Sequence, residues 1–264
     1  MRSLLALSMF SLVGCVATGS GSADGGKNDD IDSDGDGLFA SKEADLGTSD
    51  NEVDSDGDGY QDNWEVDAGS DPADGESLIY EGGWPYNPNK DSMEDPGWSG
   101  KAKVGKMMPR FAWVDQNEQV VDIYDLAMQG KPVVVDVSGV WCYWCNQLAA
   151  LIEGDASDLA GYGFDDIGAV IDSGKLIYVT VLDAGDGSAA TEIDQKATNK
   201  WAKKYANDNI PVLQDVDQEL MAWLKGAGYP TLFMVDENME ITVYDKSDYT
   251  KVLTAIMALD EGGE

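Results

Sequence analysis

The 264-residue sequence has no histidine, only three cysteines, and only 17 lysines and arginines against 50 aspartates and glutamates. The absence of histidine excludes Ser-His-Asp and Cys-His catalysis and every histidine-ligated zinc, haem or copper site. Its formal net charge of −33 excludes nonspecific binding to nucleic acid, because a polyanion repels so acidic a chain. Carboxylate and thiol chemistry therefore remain for a functional site.

The acidic residues are unevenly distributed along the chain. Residues 15–100 hold 23 acidic and 3 basic residues, whereas residues 101–264 hold 27 acidic and 13 basic residues. This change in composition predicts a domain boundary near residue 100. A hydrophobic content of 43% is enough for a substantial core in a chain of this length.

The first residues are predicted to be an export signal. A positive start, Met1-Arg2, precedes the apolar run 4–13, which is too short to span a bilayer. The run ends in Leu-Val-Gly-Cys at 12–15, which resembles the lipobox of bacterial lipoproteins. The resemblance implies a signal peptide over 1–14, a lipid on Cys15 and a protein anchored in the bacterial cell envelope. It implies the outer membrane, because residue 16 is valine and not the aspartate that often retains lipoproteins at the inner membrane. An ordinary signal peptide that contains a cysteine is the alternative, and the membrane face stays open.

Residues 15–30 are small and polar, as in a flexible tether, and two acidic loops follow it over 31–76. Both loops match the calcium-binding pattern D-x-[DN]-x-[DN]-G-x₅-E, in which alternating carboxylates, one backbone carbonyl and a final glutamate surround a hard cation. The predicted calcium ligands are Asp32, Asp34, Asp36, Leu38 (carbonyl) and Glu43 in the first loop, and Asp54, Asp56, Asp58, Tyr60 (carbonyl) and Glu65 in the second. Position 9 is Asp62 in the second loop and Ala40 in the first.

These loops differ from paired EF-hands. Gly/Ser-rich chain precedes the first loop, so no entering helix is expected, and Gly47 and Gly69 end any exiting helix early. The tandem pattern resembles bacterial thrombospondin type 3 repeats, which implies calcium ions strung along an extended chain with little core. A dockerin and a disordered acidic linker are the alternatives.

Residues 77–100 contain three prolines and several glycines, which excludes long helices and strands. A disordered linker has few aromatic residues, whereas this segment contains four, Tyr80, Trp84, Tyr86 and Trp98. We expect them to pack as a collar on the following domain. An aromatic ligand-binding strip is the alternative.

Residues 101–264 alternate strand and helix patterns, which predicts an α/β domain with a layered sheet. Predicted strands cover 131–137, 176–182, 231–235 and 241–244, the last two joined as a hairpin by the turn 236–240. Predicted helices cover 145–153, 190–206, 217–225 and 248–259.

Cys142 and Cys145 directly follow the first of these strands and open a helix. In this context a Cys-x-x-Cys pair is typical of a redox site, because the helix N-terminus stabilises a thiolate and a residue one turn later can pair with it. A structural disulfide and a metal thiolate site are the alternatives; zinc needs four ligands, and only two thiols are available here.

Over roughly 104–259 the chain resembles the thioredoxin superfamily. The resemblance implies a mixed sheet flanked by helices, a buried acid, Asp136, that exchanges protons with Cys145, and a cis-proline, Pro230, whose preceding residue, Tyr229, pairs with substrate backbone. The segment 104–111 looks like the N-terminal extension of the TlpA-like and peroxiredoxin branch. A peroxiredoxin proper is disfavoured, since its Pro-x-x-x-Thr segment is absent. Residues 146–148 also lack the basic residue common after the second cysteine of thioredoxins.

These expectations combine into a membrane-anchored thiol–disulfide oxidoreductase that uses calcium in its repeats and no organic cofactor. Catalysis is assigned to Cys142, Cys145, Asp136 and Pro230, and substrate contact to Trp141, Tyr143, Trp144 and Tyr229. The expected partners are client proteins with disulfides or thiols, a redox donor or acceptor protein and the membrane. The alternative is a calcium-organised cell-surface interaction protein with a redox-inert thioredoxin-like scaffold.

Overall fold

The computed structural model describes residues 31–184, 193–225 and 228–261. The predictions for the signal peptide, for Cys15 and for the tether lie outside the described residues. Within those residues, no helix is long and apolar enough to cross a membrane.

A five-stranded mixed sheet forms the centre of the C-terminal part. Its strands are β3 (Val133–Ser138), β4 (Ile177–Asp183), β5 (Val212–Asp215), β6 (Thr231–Val235) and β7 (Ile241–Tyr244). They lie side by side in the order β5-β4-β3-β6-β7. β3, β4 and β5 run parallel, β6 is antiparallel to β3, and β7 is antiparallel to β6. Every residue of β3 and β4 is buried, as the β-branched runs predict for strands covered on both faces.

Helices cover both faces of the sheet. They are α3 (Tyr143–Ile152), α4 (Ile167–Asp172), α5 (Gln195–Lys204), α6 (Glu219–Leu224) and α7 (Thr250–Glu261). Side chains of α3, α4 and α7 pack with Val134 on one face. Val133 and Val135 point to the opposite face and pack with α6. The predicted mixed sheet flanked by helices is therefore confirmed.

The sequence analysis did not predict the short elements α4 and β5, and the helix predicted over 190–206 is shorter than expected. The helix α4 has only six residues and includes Gly168, which lies so close to the carbonyl of Ile152 that a Cβ would be 2.0 Å from the oxygen. The strand β5 ends in Gln214 and Asp215, polar residues that are nonetheless buried. The helix predicted over 190–206 begins at Gln195, because the Asp194 carboxylate accepts a hydrogen bond from Ala197 N and caps it.

The N-terminal part consists of two similar loop–helix units. The helix α1 (Ala40–Leu46) follows the first loop, and α2 (Asp62–Ala68) follows the second. Both end where predicted, at Gly47 and Gly69, which adopt left-handed conformations with φ of 90° and 91°. The prediction that no helix precedes the first loop concerns residues before Ile31, which lie outside the described residues.

The segment 77–100 packs on the C-terminal part. Tyr80 and Trp84 are buried in the main core cluster, and Tyr86 and Trp98 pack against it. The aromatic collar is therefore integrated into the core, together with a hairpin of β1 (Ala112–Val114) and β2 (Val120–Asp122). Two 3₁₀ helices, Lys90–Ser92 and Ile123–Leu126, lie on either side of this hairpin in sequence.

Candidate active site and calcium loops

The two cysteines lie at the junction between β3 and α3. Cys142 is the residue before the helix and is extended, with φ −78° and ψ 119°, and Cys145 lies in the first turn. They form a disulfide with a Cα–Cα distance of 5.3 Å. The backbone N–H of Cys145 donates a hydrogen bond to Cys142 Sγ at 3.1 Å. Cys142 therefore caps the helix with its sulfur, in the position where the helix dipole stabilises negative charge.

Exposed aromatic side chains surround a nearly buried pair of sulfurs. Cys142 is 5% exposed and Cys145 is fully buried, whereas Trp141, Tyr143 and Trp144 are exposed. The Tyr143 and Trp144 rings contact each other edge to face at 5.2 Å. Large apolar surfaces next to a reactive group suit contact with another polypeptide.

The loop before β6 meets the cysteine junction from the other side. The Tyr229–Pro230 peptide bond is cis, as predicted from the sequence. The Tyr229 ring contacts Trp141 edge to face at 5.0 Å, and its hydroxyl donates to Asp183 Oδ1 at 2.5 Å. Tyr229 also packs against the cluster that contains both cysteines. The structure thus brings together Tyr229, Trp141 and the cysteine pair, which are distant in sequence.

Asp136 is buried in the middle of β3. It shares a sheet face with Val134, which is the face covered by α3, and it lines a small cavity of about 20 Å³ together with Ala149, one turn after Cys145. Burial raises the pKa of the Asp136 carboxyl to about 7, although interactions with Ser138 and Tyr178 oppose the shift. The Ser138 hydroxyl donates to Asp136 Oδ1 at 2.8 Å. An acid with this pKa can take up and release a proton near neutral pH.

A lysine that the sequence analysis did not identify lies at the cysteine junction. Lys204 Nζ, at the end of α5, is 2.9 Å from Asn146 Oδ1. Asn146 Nδ2 in turn donates to the carbonyl oxygens of Cys142 at 2.7 Å and Val140 at 3.2 Å. Residues 146–148, directly after Cys145, contain no basic residue. The helix α5, which is distant in sequence, therefore provides a basic group close to this position. Only the packing of α5 on α3 reveals it, since nothing in the local sequence of either helix indicates the contact.

The two predicted calcium loops have matching hydrogen bonds from backbone N–H groups to aspartate carboxylates. In each loop, the first aspartate accepts from the glycines at positions 4 and 6, and one oxygen of the aspartates at positions 3 and 5 accepts from the N–H two residues later. The carboxylates of Asp32, Asp34 and Asp36 converge with ligand atoms within 4.8 Å of one another, and so do those of Asp54, Asp56 and Asp58. The second oxygen of the carboxylates at positions 3 and 5 remains available for a cation.

The residues present fit calcium because buried carboxylate oxygens have no hydrogen-bond partner. This group comprises Asp34 Oδ2, Asp36 Oδ2, Glu43 Oε1 and Oε2, Asp56 Oδ2, Asp58 Oδ2 and Glu65 Oε2. Burial, assisted by neighbouring carboxylates, raises the pKa of Glu43 and of Glu65 to about 7. Burying a carboxylate oxygen without a hydrogen-bond partner costs free energy. A divalent cation would replace the lost hydration of these oxygens and neutralise the repulsion between the carboxylates.

The position-9 aspartate of the second loop has a bracing role. Both oxygens of Asp62 accept hydrogen bonds from Ser55, from the backbone N at 2.8 Å and from Oγ at 2.7 Å. In the first loop Asp50 does the same for Ser33, at 3.0 and 2.6 Å. Asp50 lies in the segment between the loops. It makes the hydrogen bonds to Ser33 that Ala40, at position 9 of the first loop, cannot make.

Two family models match the sequence. The AhpC/TSA family matches residues 104–244, which is more than half of the chain, and the bacterial TSP3 repeat matches residues 54–75, around the second loop. Both agree with the predicted thioredoxin-like domain and thrombospondin type 3-like repeats. No curated protein sequence matches this chain.

Several solved structures resemble the chain. A putative protein disulfide isomerase from Bacteroides thetaiotaomicron is 16% identical, with 61% of this chain and 89% of that chain covered and a TM-score of 0.44. The thioredoxin domain of a thiol-disulfide oxidoreductase from Bacteroides vulgatus is 15% identical, with 59% and 99% covered and a TM-score of 0.42. An exposed lipoprotein thioredoxin from Streptococcus pneumoniae is 19% identical, with 56% and 98% covered and a TM-score of 0.41.

Proposed function

The chain belongs to the AhpC/TSA family, and from this premise we propose that it reduces or exchanges disulfides in client proteins outside the cytoplasm. Its class is that of the thioredoxin-like thiol–disulfide oxidoreductases. The observation that carries the proposal is the Cys142–Cys145 pair at the N-terminus of α3, with one sulfur capping the helix and exposed aromatic rings around it.

The reaction consists of two exchange steps. The Cys142 thiolate attacks one sulfur of a client disulfide, forms a mixed disulfide and releases the other client sulfur as a thiolate. The Cys145 thiolate then attacks the Cys142 sulfur, which forms the Cys142–Cys145 disulfide and releases the second client thiolate. The client gains two electrons and the protein loses two, so a dithiol donor protein must regenerate the reduced pair. The reverse sequence oxidises a client dithiol.

The hydrogen bond from Cys145 N–H to Cys142 Sγ supports Cys142 as the attacking sulfur. The N–H groups of the first turn of α3 have no helical carbonyl partner and stabilise a thiolate at this position. Cys145 is fully buried, so a client cannot reach it directly. This difference in access supports Cys142 as the attacking cysteine and Cys145 as the resolving one.

Asp136 is proposed to accept the proton of Cys145 as this thiol becomes the resolving nucleophile. Its pKa of about 7 suits the transfer, and it lies under the sheet face that carries α3. The small cavity that Asp136 and Ala149 line is large enough for about one water molecule beside the carboxyl.

Client binding is assigned to the surface around the sulfurs. Tyr229 is proposed to pair with the client backbone and Pro230 to pack on the mixed disulfide, while Trp141, Tyr143 and Trp144 contact client side chains. The contact between Tyr229 and Trp141 supports this assignment, since it places the loop before β6 next to the cysteine junction. Extended backbone pairing gives affinity without strict sequence selection.

In the repeats, we assign calcium to Asp32, Asp34, Asp36, the carbonyl of Leu38 and Glu43, and to Asp54, Asp56, Asp58, the carbonyl of Tyr60 and Glu65. The ion would neutralise the clustered carboxylates and thereby order the segment. At the other end, a lipid on Cys15 is proposed to anchor the protein in the bacterial outer membrane. Growth with a labelled fatty acid tests this anchor: a Cys15→Ser protein that still carries the label would disprove it.

Insulin reduction by the full-length protein with a dithiol donor tests the enzymatic function. Cys142→Ser is expected to abolish turnover, whereas Cys15→Ser, the matched substitution of the third cysteine, should retain it. Cys145→Ala should accumulate a mixed disulfide with clients, which mass spectrometry can identify. A Cys142→Ser protein with turnover equal to that of the unmodified protein would refute the proposal.

A further inference from the structure

The helix α5 is a basic element in a strongly acidic protein. Its ten residues include Lys196, Lys200, Lys203 and Lys204 and no acidic residue, although the whole chain has only 17 basic residues and a net charge of −33. None of these four lysines takes part in an ion pair within the part of the chain that the structure describes. Their charge is therefore available to a partner.

Two of these lysines line a pocket beside the cysteine junction. The pocket has a volume of about 360 Å³, and its walls include Val140, Trp141, Asn146, Lys200, Trp201 and Lys204. Val140 and Trp141 directly precede Cys142, and Trp201 packs in the same cluster as both cysteines. A side chain in this lysine pocket would thus lie next to the sulfur that attacks the client. Lys196 and Lys203 lie outside the pocket walls.

The two lysines of the pocket differ in their contacts. Lys204 is held in place, since its Nζ is 2.9 Å from Asn146 Oδ1 and 2.6 Å from the Tyr205 hydroxyl. Lys200 lies one helical turn away on the same side of α5, is exposed, and makes no hydrogen bond to a described residue. The pocket therefore presents one fixed and one adaptable ammonium group.

We propose that the lysine pocket binds an aspartate or glutamate side chain of the client, close in sequence to the disulfide that Cys142 attacks. The proposal rests on the proposed function and adds a preference for clients that are acidic around their cysteines. Trp141 and Trp201 provide apolar walls for the methylene groups of the client side chain.

Charge complementarity favours this occupant over a neutral or basic one. Most of the surface repels an acidic client, because acidic residues outnumber basic ones by 50 to 17. The two ammonium groups of the pocket attract an acidic client only next to the cysteine pair. They therefore favour binding of an acidic client in the orientation that brings its disulfide to Cys142.

Three fluorogenic peptides test the preference, each with one disulfide flanked by glutamate, glutamine or lysine. The dithiol form of the full-length protein is mixed with each peptide in single-turnover experiments at 10 mM salt and fixed calcium. We expect the glutamate peptide to react about fivefold faster than the glutamine peptide, the effect of one exposed ion pair, and the lysine peptide to react more slowly. The difference should shrink at 150 mM salt, where the Debye length is about 8 Å instead of about 30 Å.

A matched pair of variants assigns the preference to the pocket. Lys200→Gln should lower the ratio of the glutamate to the glutamine rate by half or more, whereas Lys203→Gln, which removes the same charge from the same helix outside the pocket, should preserve the ratio. Equal rates for the glutamate and glutamine peptides, or equal losses in the two variants, would overturn the inference. If no peptide is reduced at all, the proposed function fails instead, so the two failures are distinguishable.

Discussion

The Tyr60 hydroxyl donates a hydrogen bond to the carbonyl oxygen of Trp84 at 2.6 Å. Tyr60 occupies position 7 of the second calcium loop, and Trp84 belongs to the buried aromatic collar, where its Nε1 donates to Asp115 at 2.7 Å. Both side chains are almost fully buried. One residue thus takes part in a candidate calcium loop through its backbone and in the core of the redox domain through its side chain.

Tyr60→Phe is therefore expected to destabilise the protein. The substitution leaves the buried carbonyl of Trp84 without a donor, which costs about 1–3 kcal/mol. Urea unfolding in the presence of calcium, followed by tryptophan fluorescence, measures this cost. Tyr162→Phe removes a hydroxyl from an exposed tyrosine and serves as the control. Identical unfolding midpoints for the two variants would show that the contact contributes nothing.

A buried ion pair fixes the collar to the redox domain. Lys90 Nζ lies 2.7 Å from both oxygens of Asp125, which is fully buried and also accepts from the Tyr80 hydroxyl at 2.6 Å. Lys90→Met leaves this carboxylate without its cation, and we expect a loss of about 3 kcal/mol in the free energy of unfolding. Lys103→Met, at an exposed position, is the control for loss of one charge. A loss below about 1 kcal/mol would mean that the collar is held mainly by apolar contacts.

The stability of the folded protein should depend on pH through Asp136. Folding raises the pKa of this carboxyl from 3.8 to about 7, so the folded state binds the proton more tightly than the unfolded state. The stabilising contribution is complete below about pH 4 and disappears as pH rises through 7. Asp136→Asn removes the ionisation, and its free energy of unfolding should exceed that of the unmodified protein by up to about 4 kcal/mol at pH 8, with little difference at pH 4.

Denaturant unfolding at several pH values measures this effect, with Asp217→Asn at an exposed position as the control. The same Asp136→Asn variant should slow the second exchange step at pH 7, seen as a longer-lived mixed disulfide. Parallel stability curves for the Asp136→Asn variant and the unmodified protein would contradict the assigned pKa. An unchanged lifetime of the mixed disulfide would contradict the proton-acceptor role.

Each calcium loop should bind one ion that depends on its final glutamate. Calorimetric titration of the calcium-free protein is expected to show two sites. Glu65→Gln should weaken the second site and Glu43→Gln the first, each by about tenfold or more, since a bidentate carboxylate is replaced by a neutral amide. Glu76→Gln, at an exposed glutamate of the same segment, should leave both affinities intact.

Removal of calcium should also expand the repeat segment, because the neighbouring carboxylates then repel one another. Small-angle X-ray scattering before and after addition of a chelator measures the change in the radius of gyration. Calcium titration without heat, together with an unchanged radius, would exclude calcium from these loops.

The sequence predicted most of the architecture because its signals are local. The β-branched runs of β3 and β4, the hairpin of β6 and β7, and the helices after Cys142 and near 250 all show the periodicity of the element that they form. The left-handed glycines Gly47 and Gly69 end their helices as expected. By contrast, β5 and α4 are short and contain buried polar or small residues, and their identity depends on the neighbours that cover them.

The candidate site divides in the same way. The sequence by itself determined the positions of the two sulfurs on the helix and the three alternating carboxylates of each predicted calcium loop, because each depends on spacing within a few residues. The cis-proline at 230 was implied by the resemblance to the thioredoxin superfamily, and the structure has it. Only the tertiary structure decided that Lys204 would reach Asn146, that Tyr60 would contact Trp84, and that Asp50 would hydrogen-bond to Ser33. These contacts join residues through the packing of separate elements, whose relative placement depends on the burial of the whole core and has no local signature.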